Sequence, residues 1–307
     1  MKGEPFEVGI RSVISETKLA TKSNEEILQN NRIQYLKSNF HINNQSYKSY
    51  RQQEIDKWRY LASGIIFQLN ETEKTSLFEW AGSQSQITTF SLMDYFQDKN
   101  ERIYNYILDF NHASKDLDIE LKKIKSEKIT FAITDSKSWT IDAHVDKQKI
   151  DSIPAKRIDE VNLSNSEYYM NSVEFNKKPE HVTLNPNGLI PERNTLNNSN
   201  SVPTKFTFNA LKTEPFNADT LLFNWRPDAW NNAYDGVKLG LRLKSNYQKE
   251  WYNFDAGVYY SLGTPQGDFD QYENDYQTVS WFATFESRTE KLLPNSSFQL
   301  HAQQLDG

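Results

Sequence analysis

Apolar residues recur along this chain with two different periods, and the change from one to the other divides it. Up to about residue 116 they return every three to four positions, the signature of helices with one buried stripe. Ser23 followed by Asn24-Glu25-Glu26 reads as a capped helix start, with Ile27, Leu28, Ile33 and Leu36 roughly on one side and Asn43-Asn44-Gln45-Ser46 as its break. A second helix is predicted over 52–69, carrying Ile55, Trp58, Leu61, Ala62, Ile65 and Ile66. A third over 71–80 is expected to bury Leu77, Phe78 and Trp80; a fourth carries Phe90, Leu92, Met93 and Phe96, and a fifth covers 103–110. Residues 1–22 are polar and poorly patterned, and no element is predicted there.

From about Leu117 the period shortens to two. Ile119, Leu121 and Ile124 introduce a strand pair, and 129–133 with 139–145 read as hairpin-like strands around Asp135-Ser136-Lys137-Ser138. Further strands are expected at 168–175 and 181–184, which makes 117–184 a small β-sandwich. Residues 185–204 are rich in Asn, Ser and Pro and bury little apolar area, so 185–205 reads as a linker.

The clearest alternation follows. Val237, Leu239, Leu241 and Leu243 share one face of a strand, with Lys238, Gly240, Arg242 and Lys244 on the other. The pattern returns at Tyr252, Phe254, Ala256, Val258, Tyr260 and Leu262, at Val279, Trp281, Ala283 and Phe285, and at Phe298, Leu300 and Ala302. Four strands of an antiparallel meander are therefore predicted within 206–307, separated by turn material at 245–249, 263–277 and 293–296. Two readings are open. In a soluble sheet the apolar face packs on a core; in an outer-membrane barrel it meets lipid and the polar face lines the lumen. Aromatic rings towards the strand ends (Trp251, Tyr252, Tyr259, Tyr260, Tyr276, Trp281) and the charged set Lys238, Arg242, Lys244, Asp255 and Glu286 favour the second. A closed barrel needs about eight strands, so four are expected to be part of something larger. The fold class is α+β: helical 1–116, sandwich 117–184, linker 185–205, meander 206–307.

Composition narrows the function classes. At 307 residues two domains are the natural expectation. A net charge of -6 with no run of Lys or Arg argues against nucleic acid as a partner. Cysteine is absent, which removes disulfides, thiolate zinc sites and cysteine nucleophiles together. No signal-peptide pattern occurs in the first 20 residues, and no run of about eighteen apolar residues could cross a membrane as a helix.

Candidate chemistry is sparse. The histidines are His41, His112, His144, His181 and His301, with no HExxH and no pair four apart; His144 with His181 is the one long-range metal pairing considered, and His144 reads better as a sheet-surface residue. Asp116/Asp118 and Glu71/Glu73 are spaced two apart in local charge clusters that read as solvated faces rather than acid–base pairs. Ser63-Gly64 and Gly82-Ser83 lack the flanking glycines of a nucleophile elbow. No catalytic, cofactor-binding or metal residue is assigned from the residues themselves.

The order of motifs resembles the tail of the gluzincin metallopeptidases of the aminopeptidase N type. Leu69-Asn70-Glu71 resembles the family's "LGE" helix start, Tyr106-Ile107-Leu108 stands where its "WFF" helix runs, and Leu117-Asp118-Ile119 resembles the step into its β-sandwich. His181-Val182-Thr183-Leu184-Asn185-Pro186 with Pro191-Glu192-Arg193-Asn194 and Asn197-Asn198 resembles the close of that sandwich. Asn232-Ala233-Tyr234-Asp235-Gly236-Val237-Lys238-Leu239-Gly240 is similar to the opening of the β-domain in membrane-associated members from Bacteroidetes-like bacteria. The resemblance covers roughly 57–307. It implies the non-catalytic C-terminal portion of a membrane-associated zinc aminopeptidase-like protein, in the cell envelope at the outer membrane, contacting lipid through the meander. Zinc and peptide substrate belong to an intact relative only, because the zinc signature and its downstream Glu are missing and the nearest tyrosine to the family's oxyanion position is Tyr50. The alternative is an envelope binding or structural β-protein, without peptidase activity, whose meander holds peptide or glycan.

Overall fold

In a computed structural model the described residues are 4–19, 22–39, 49–113, 117–125, 128–134, 140–145, 148–154, 159–163, 166–174, 177–192, 194–208, 218–232, 236–248, 251–262, 279–289 and 296–304. The chain divides into two units, Met1–Ser201 and Val202–Gly307. The architecture is α+β, with helices first and mostly antiparallel strands last.

Among the described residues the first unit opens with six helices: α1 (Pro5–Lys18), α2 (Asn24–Asn39), α3 (Tyr50–Gln68), α4 (Glu71–Ser83), α5 (Thr89–Gln97) and α6 (Glu101–His112). Five were expected, and α1 is the addition. Residues 1–22 looked unpatterned because only Phe6, Ile10, Val13 and Ile14 carry the stripe, yet all four are buried and Pro5 pre-sets the first turn. Phe6 packs edge-on against Trp58 of α3 at 4.9 Å. A side chain at Gly9 would come within 2.8 Å of Trp58 Cβ, so this glycine lets the two helices approach closely. The Ser23 cap is present: Ser23 Oγ accepts from Glu26 N–H at 3.1 Å and the Glu26 carboxylate accepts from Ser23 N–H at 2.9 Å. Asn70 and Glu73 form the same capping box on α4. In α4 only Leu77 of the three expected core residues is fully buried, with Phe78 and Trp80 half-covered, and Phe90 of α5 is exposed. The predicted break at 43–46 lies outside the described residues.

Strands β1 (Ile119–Lys125), β2 (Lys128–Thr134), β3 (Thr140–Val145), β4 (Gln148–Pro154), β5 (Asp159–Leu163), β6 (Ser166–Glu174) and β7 (Val182–Leu184) form two sheets, ordered β1-β2-β6-β5 and β4-β3-β7. The expected pairing of 129–133 with 139–145 is not made. β2 pairs with β1 and β6, while β3 pairs with β4 and β7, so these neighbours in sequence sit in different sheets. Period-two patterning fixes which face is buried but not which partner each strand takes.

Residues 185–200 correct the linker expectation. They form a buried strap: Leu189, Ile190, Glu192, Leu196 and Asn198 are all covered. Gln29 of α2 donates to Asn187 O at 3.0 Å, Tyr60 of α3 to Gly188 O and to Ile190 O, and Tyr106 of α6 to Leu189 O at 3.1 Å. On the sheet side, Leu121 N–H of β1 donates to Asn197 O at 2.8 Å and Leu184 N–H of β7 to Asn198 O at 2.9 Å. Polar composition suggested a solvated loop; the carbonyls are instead spent on helices and strands and several amides bond within the strap itself, which satisfies buried backbone.

Among the described residues the second unit forms one sheet of six strands, where four were expected: β8 (Thr204–Phe208), β9 (Leu221–Asn232), β10 (Gly236–Tyr247), β11 (Trp251–Ser261), β12 (Val279–Arg288) and β13 (Ser297–Gln304), in spatial order β13-β12-β11-β10-β9-β8. All pairs are antiparallel except β8 with β9, which is parallel. The turn expected at Ser245-Asn246 falls inside β10; the turn material at 263–277 and most of 293–296 lies outside the described residues. Pro227 sits in β9 opposite Leu241 of β10, beyond the last residue paired with β8.

Candidate functional site

The register of the second unit gathers the apolar positions on one face. Ala229, Leu239, Tyr260 and Val279 lie in one row; Pro227, Leu241, Val258 and Trp281 in the next; Trp225, Leu243, Ala256, Ala283 and Ala302 in a third. That face is the uncovered one, with Leu241 54 % and Tyr260 58 % exposed. The opposite, polar face is the covered one: Lys238 is 1 % exposed and Ser280 0 %. The sheet is inside-out relative to a soluble domain, where burial of apolar surface drives folding.

The polar face is built by side chains that reach over glycines. Gly240 lies between Asp228 on β9 and Tyr259 on β11, and the Tyr259 hydroxyl donates to the Asp228 carboxylate at 3.0 Å across it. Gly257 lies between Arg242 on β10 and Phe282 on β12, and the Arg242 guanidinium stands 5.4 Å from the Phe282 ring centre. Arg242 also clamps Asp255 with two bonds of 2.8 and 2.6 Å and lies 3.6 Å from Asp228; Lys244 adds a contact to Asp255 at 3.2 Å. Lys238 donates to Ser280 Oγ at 2.6 Å and stands 5.5 Å from the Trp230 ring.

These contacts set the electrostatics. Burial raises the Asp255 carboxyl, but the Arg242 hydrogen bond and the Lys244 charge outweigh it, so its pKa ends below the ordinary carboxylate value. The bond to Asp255 pushes the Arg242 pKa up, against burial. Burial first, then the bond to the Asp228 carboxylate, raises the Tyr259 phenol to about 12. Near neutral pH the Arg242–Asp255 pair is therefore ionised, and the Tyr259 phenol keeps the proton it donates to Asp228.

Of the expected inward set, Lys238, Arg242, Lys244 and Asp255 come together here, while Glu286 is exposed farther along β12. Asp228, Trp230 and Arg226 were missed with the whole of β9. The signal was present, since Phe223, Trp225, Pro227 and Ala229 alternate with Asn224, Arg226, Asp228 and Trp230, but a proline on one face and a tryptophan on the other obscured it.

The other candidates take structural roles. His112 Nδ1 bonds Leu108 O at 2.8 Å, His301 bonds Thr284 at 2.8 Å, and His144 and His181 are exposed; His41 lies outside the described residues. Among the described residues no group of three His, Cys, Asp or Glu could hold a metal ion, so the zinc of the resembled family does not fit the side chains described. Glu71 contacts Lys74 at 2.6 Å, Glu73 caps α4, and Asp118 accepts from Asn197 at 3.0 Å; Asp116 lies outside the described residues. Ser63 donates to Tyr60 O, and a side chain at Gly64 would meet the Tyr106 ring at 2.9 Å. Gly82 would meet nothing within 4 Å. No helix among the described residues is long and apolar enough to cross a membrane, which says nothing of strands. No protein-family model matches the sequence, no curated protein matches it, and no solved structure matches it.

Proposed function

We propose that the second unit is part of a transmembrane β-wall, apolar face to lipid and charged face inward, and that the chain is the non-catalytic portion of a membrane-associated zinc aminopeptidase-like protein of a bacterial outer membrane. The observation that carries the membrane reading is the inversion of the sheet: Leu239, Leu241, Val258, Tyr260, Val279 and Trp281 are exposed on the apolar face, while Lys238 and Ser280 on the opposite face are buried. Strand length agrees, since β9 and β10 have 12 residues, β11 has 11 and β12 has 10, against about 9 to 11 needed to cross a bilayer at a tilt. The peptidase ancestry rests on the order of the motifs, with the two sheets of 117–184 as the family's β-sandwich. Peptide hydrolysis would belong to residues of an intact relative. The alternative, a soluble grip for peptide or glycan, is less well supported because the inward charges already pair with one another.

The absence of cysteine makes a direct test simple. Leu241→Cys and Thr284→Cys, on opposite faces, are each labelled with an environment-sensitive fluorophore and reconstituted in vesicles with nitroxide lipids. The Leu241→Cys label should shift to the blue and be quenched by the nitroxides, and the Thr284→Cys label should not. Equal behaviour at both sites, or a monodisperse monomer in water without detergent, would sink the membrane reading.

A further inference from the structure

Glu192 is wholly buried in the strap of the first unit, and its neighbours differ in how firmly they are fixed. Asn185 has one orientation: its Oδ1 accepts from Ile190 N–H at 3.2 Å, and its Nδ2 donates to Ile190 O at 3.2 Å and to Glu192 Oε1 at 2.5 Å. Ile119 N–H of β1 donates to Glu192 Oε2 at 3.1 Å. Asn198 is held at one end only. Its Nδ2 donates to Glu192 Oε1 at 2.7 Å, while its buried Oδ1 meets no hydrogen-bond partner among the described residues. A half-turn of that amide exchanges its oxygen and nitrogen with almost no movement of heavy atoms. Oδ1 would then face Glu192 as an acceptor. A carboxylate can take all three N–H donors; a carboxylic acid can keep those of Asn185 and Ile119 and give its proton to the turned Asn198.

We propose that Glu192 and Asn198 form a proton-operated latch in the strap: the protonated carboxyl donates to Asn198 Oδ1, and the ionised carboxylate accepts from Asn198 Nδ2. The charged and titratable groups facing it are Arg32 of α2, Tyr60 of α3 and Asp118 at the entry to β1. Burial is the largest influence and favours the neutral acid, as does Asp118; the bonds from Asn185 and Asn198 and the charge of Arg32 oppose it, and the carboxyl ends at about 8. The folded value lies above the unfolded one, so the folded chain holds a proton that the unfolded chain releases. The stability supplied by this group is therefore complete below the unfolded value of about 4.3 and is lost as pH rises through the folded value of about 8. Asn197 and Asn198 carbonyls receive the N–H groups of Leu121 and Leu184, so the latch sits where β1 and β7, one from each sheet, hang on the strap.

Carbon-13 NMR of the glutamate carboxyls in the full chain, between about pH 4 and about pH 9, tests this directly. One resonance should titrate far above the ordinary carboxylate range and vanish in Glu192→Gln, and the Asn198 side-chain amide should shift with the same midpoint. In parallel, the wild-type denaturant midpoint should fall across that window and Glu192→Gln should abolish the fall. The idea is overturned if every glutamate titrates in the ordinary range, or if the Asn198 amide is indifferent while Glu192 titrates. If Glu192→Gln does not fold, the wild-type Asn198 resonance decides alone.

Discussion

The Tyr259 hydroxyl reaches the Asp228 carboxylate two strands away because the residue between them in the register is Gly240. A side chain at position 240 would come within 2.6 Å of the Tyr259 ring. Gly240→Val should force that ring off its site and cost about 1 to 3 kcal/mol, the usual range for overpacking. Tyr259→Phe keeps the ring but loses the bond, about 1 kcal/mol. Unfolding of both variants in detergent checks the order; a Gly240→Val protein as stable as wild type would show that the bridge does not depend on this glycine.

The same pair makes a titration prediction. Burial and Asp228 hold the Tyr259 phenol at about 12, above an unfolded value of about 10. The stability it contributes is therefore present below the unfolded value and is lost only as pH rises through the folded one. Burial also raises the phenols of Tyr35, Tyr60 and Tyr106, so ultraviolet titration should find several ionising late, and Asp228→Asn should bring one of them down. If none of the late phenols moves in Asp228→Asn, the carboxylate is not a cause of the Tyr259 shift.

The helical core was largely legible in the sequence because capping and period act locally: Ser23 with Glu26 and Asn70 with Glu73 announce helix starts by chemistry three residues long. The membership of the apolar face was legible too, since alternation fixes which residues share a face. Whether that face is covered is not local, and neither is partner choice, which is how β2 and β3 came to sit in different sheets. The strap was misread for a related reason. Asn185, Glu192 and Asn198 look like solvated loop residues until Ile119 of β1 donates to Glu192, while Tyr60 and Tyr106, also distant in sequence, hold the Ile190 and Leu189 carbonyls between them. A buried polar network is invisible to a rule that equates polarity with exposure.

Asp255 makes an acid-side prediction of opposite sign. Its folded pKa lies below the unfolded one, Arg242 and Lys244 outweighing burial. Its stabilising contribution is thus present above the unfolded value and lost as pH falls through the folded one. Asp255→Asn should flatten the acid limb of the stability profile of the second unit. Arg242→Lys should be more damaging than a change of equal charge suggests, because the two-pronged clamp on Asp255 needs a guanidinium. An unchanged acid limb in Asp255→Asn would remove this pair as its source.

A charge placed on the apolar rows separates lipid from water as their surroundings. Leu241 lies in the second row, flanked by Pro227 and Val258. In a bilayer, Leu241→Arg should cost about 2 to 4 kcal/mol if the position is near the midplane, and about 1 kcal/mol or less near an interface. On a face open to water it should cost almost nothing, since Leu241 is more than half exposed. Folding into lipid vesicles, compared with Thr284→Arg on the opposite face, reads the difference. Insensitivity at position 241 would place this face outside lipid.

The strap yields the sharpest change from a single atom. Tyr60 is fully buried and its hydroxyl donates to Gly188 O and, at 3.3 Å, to Ile190 O. Tyr60→Phe preserves the ring, its edge-on packing on Phe110 at 5.5 Å and the volume of the core. It takes the donor from the buried Gly188 carbonyl, which costs about 1 to 3 kcal/mol, while Ile190 O keeps those of Asn185 and Glu192. Tyr106→Phe should do the same to Leu189 O, and the double variant should exceed the sum if the strap comes away as one piece. Limited proteolysis supplies the readout. In wild type, cleavage within 185–198 should require unfolding of the first unit, because its carbonyls accept from side chains of α2, α3 and α6 and from backbone N–H groups of β1 and β7. In the double variant, cleavage there should precede loss of helical circular dichroism. Early cutting at 185–198 in the wild-type chain would return this segment to the status of a solvated linker and leave the two tyrosines as ordinary core residues.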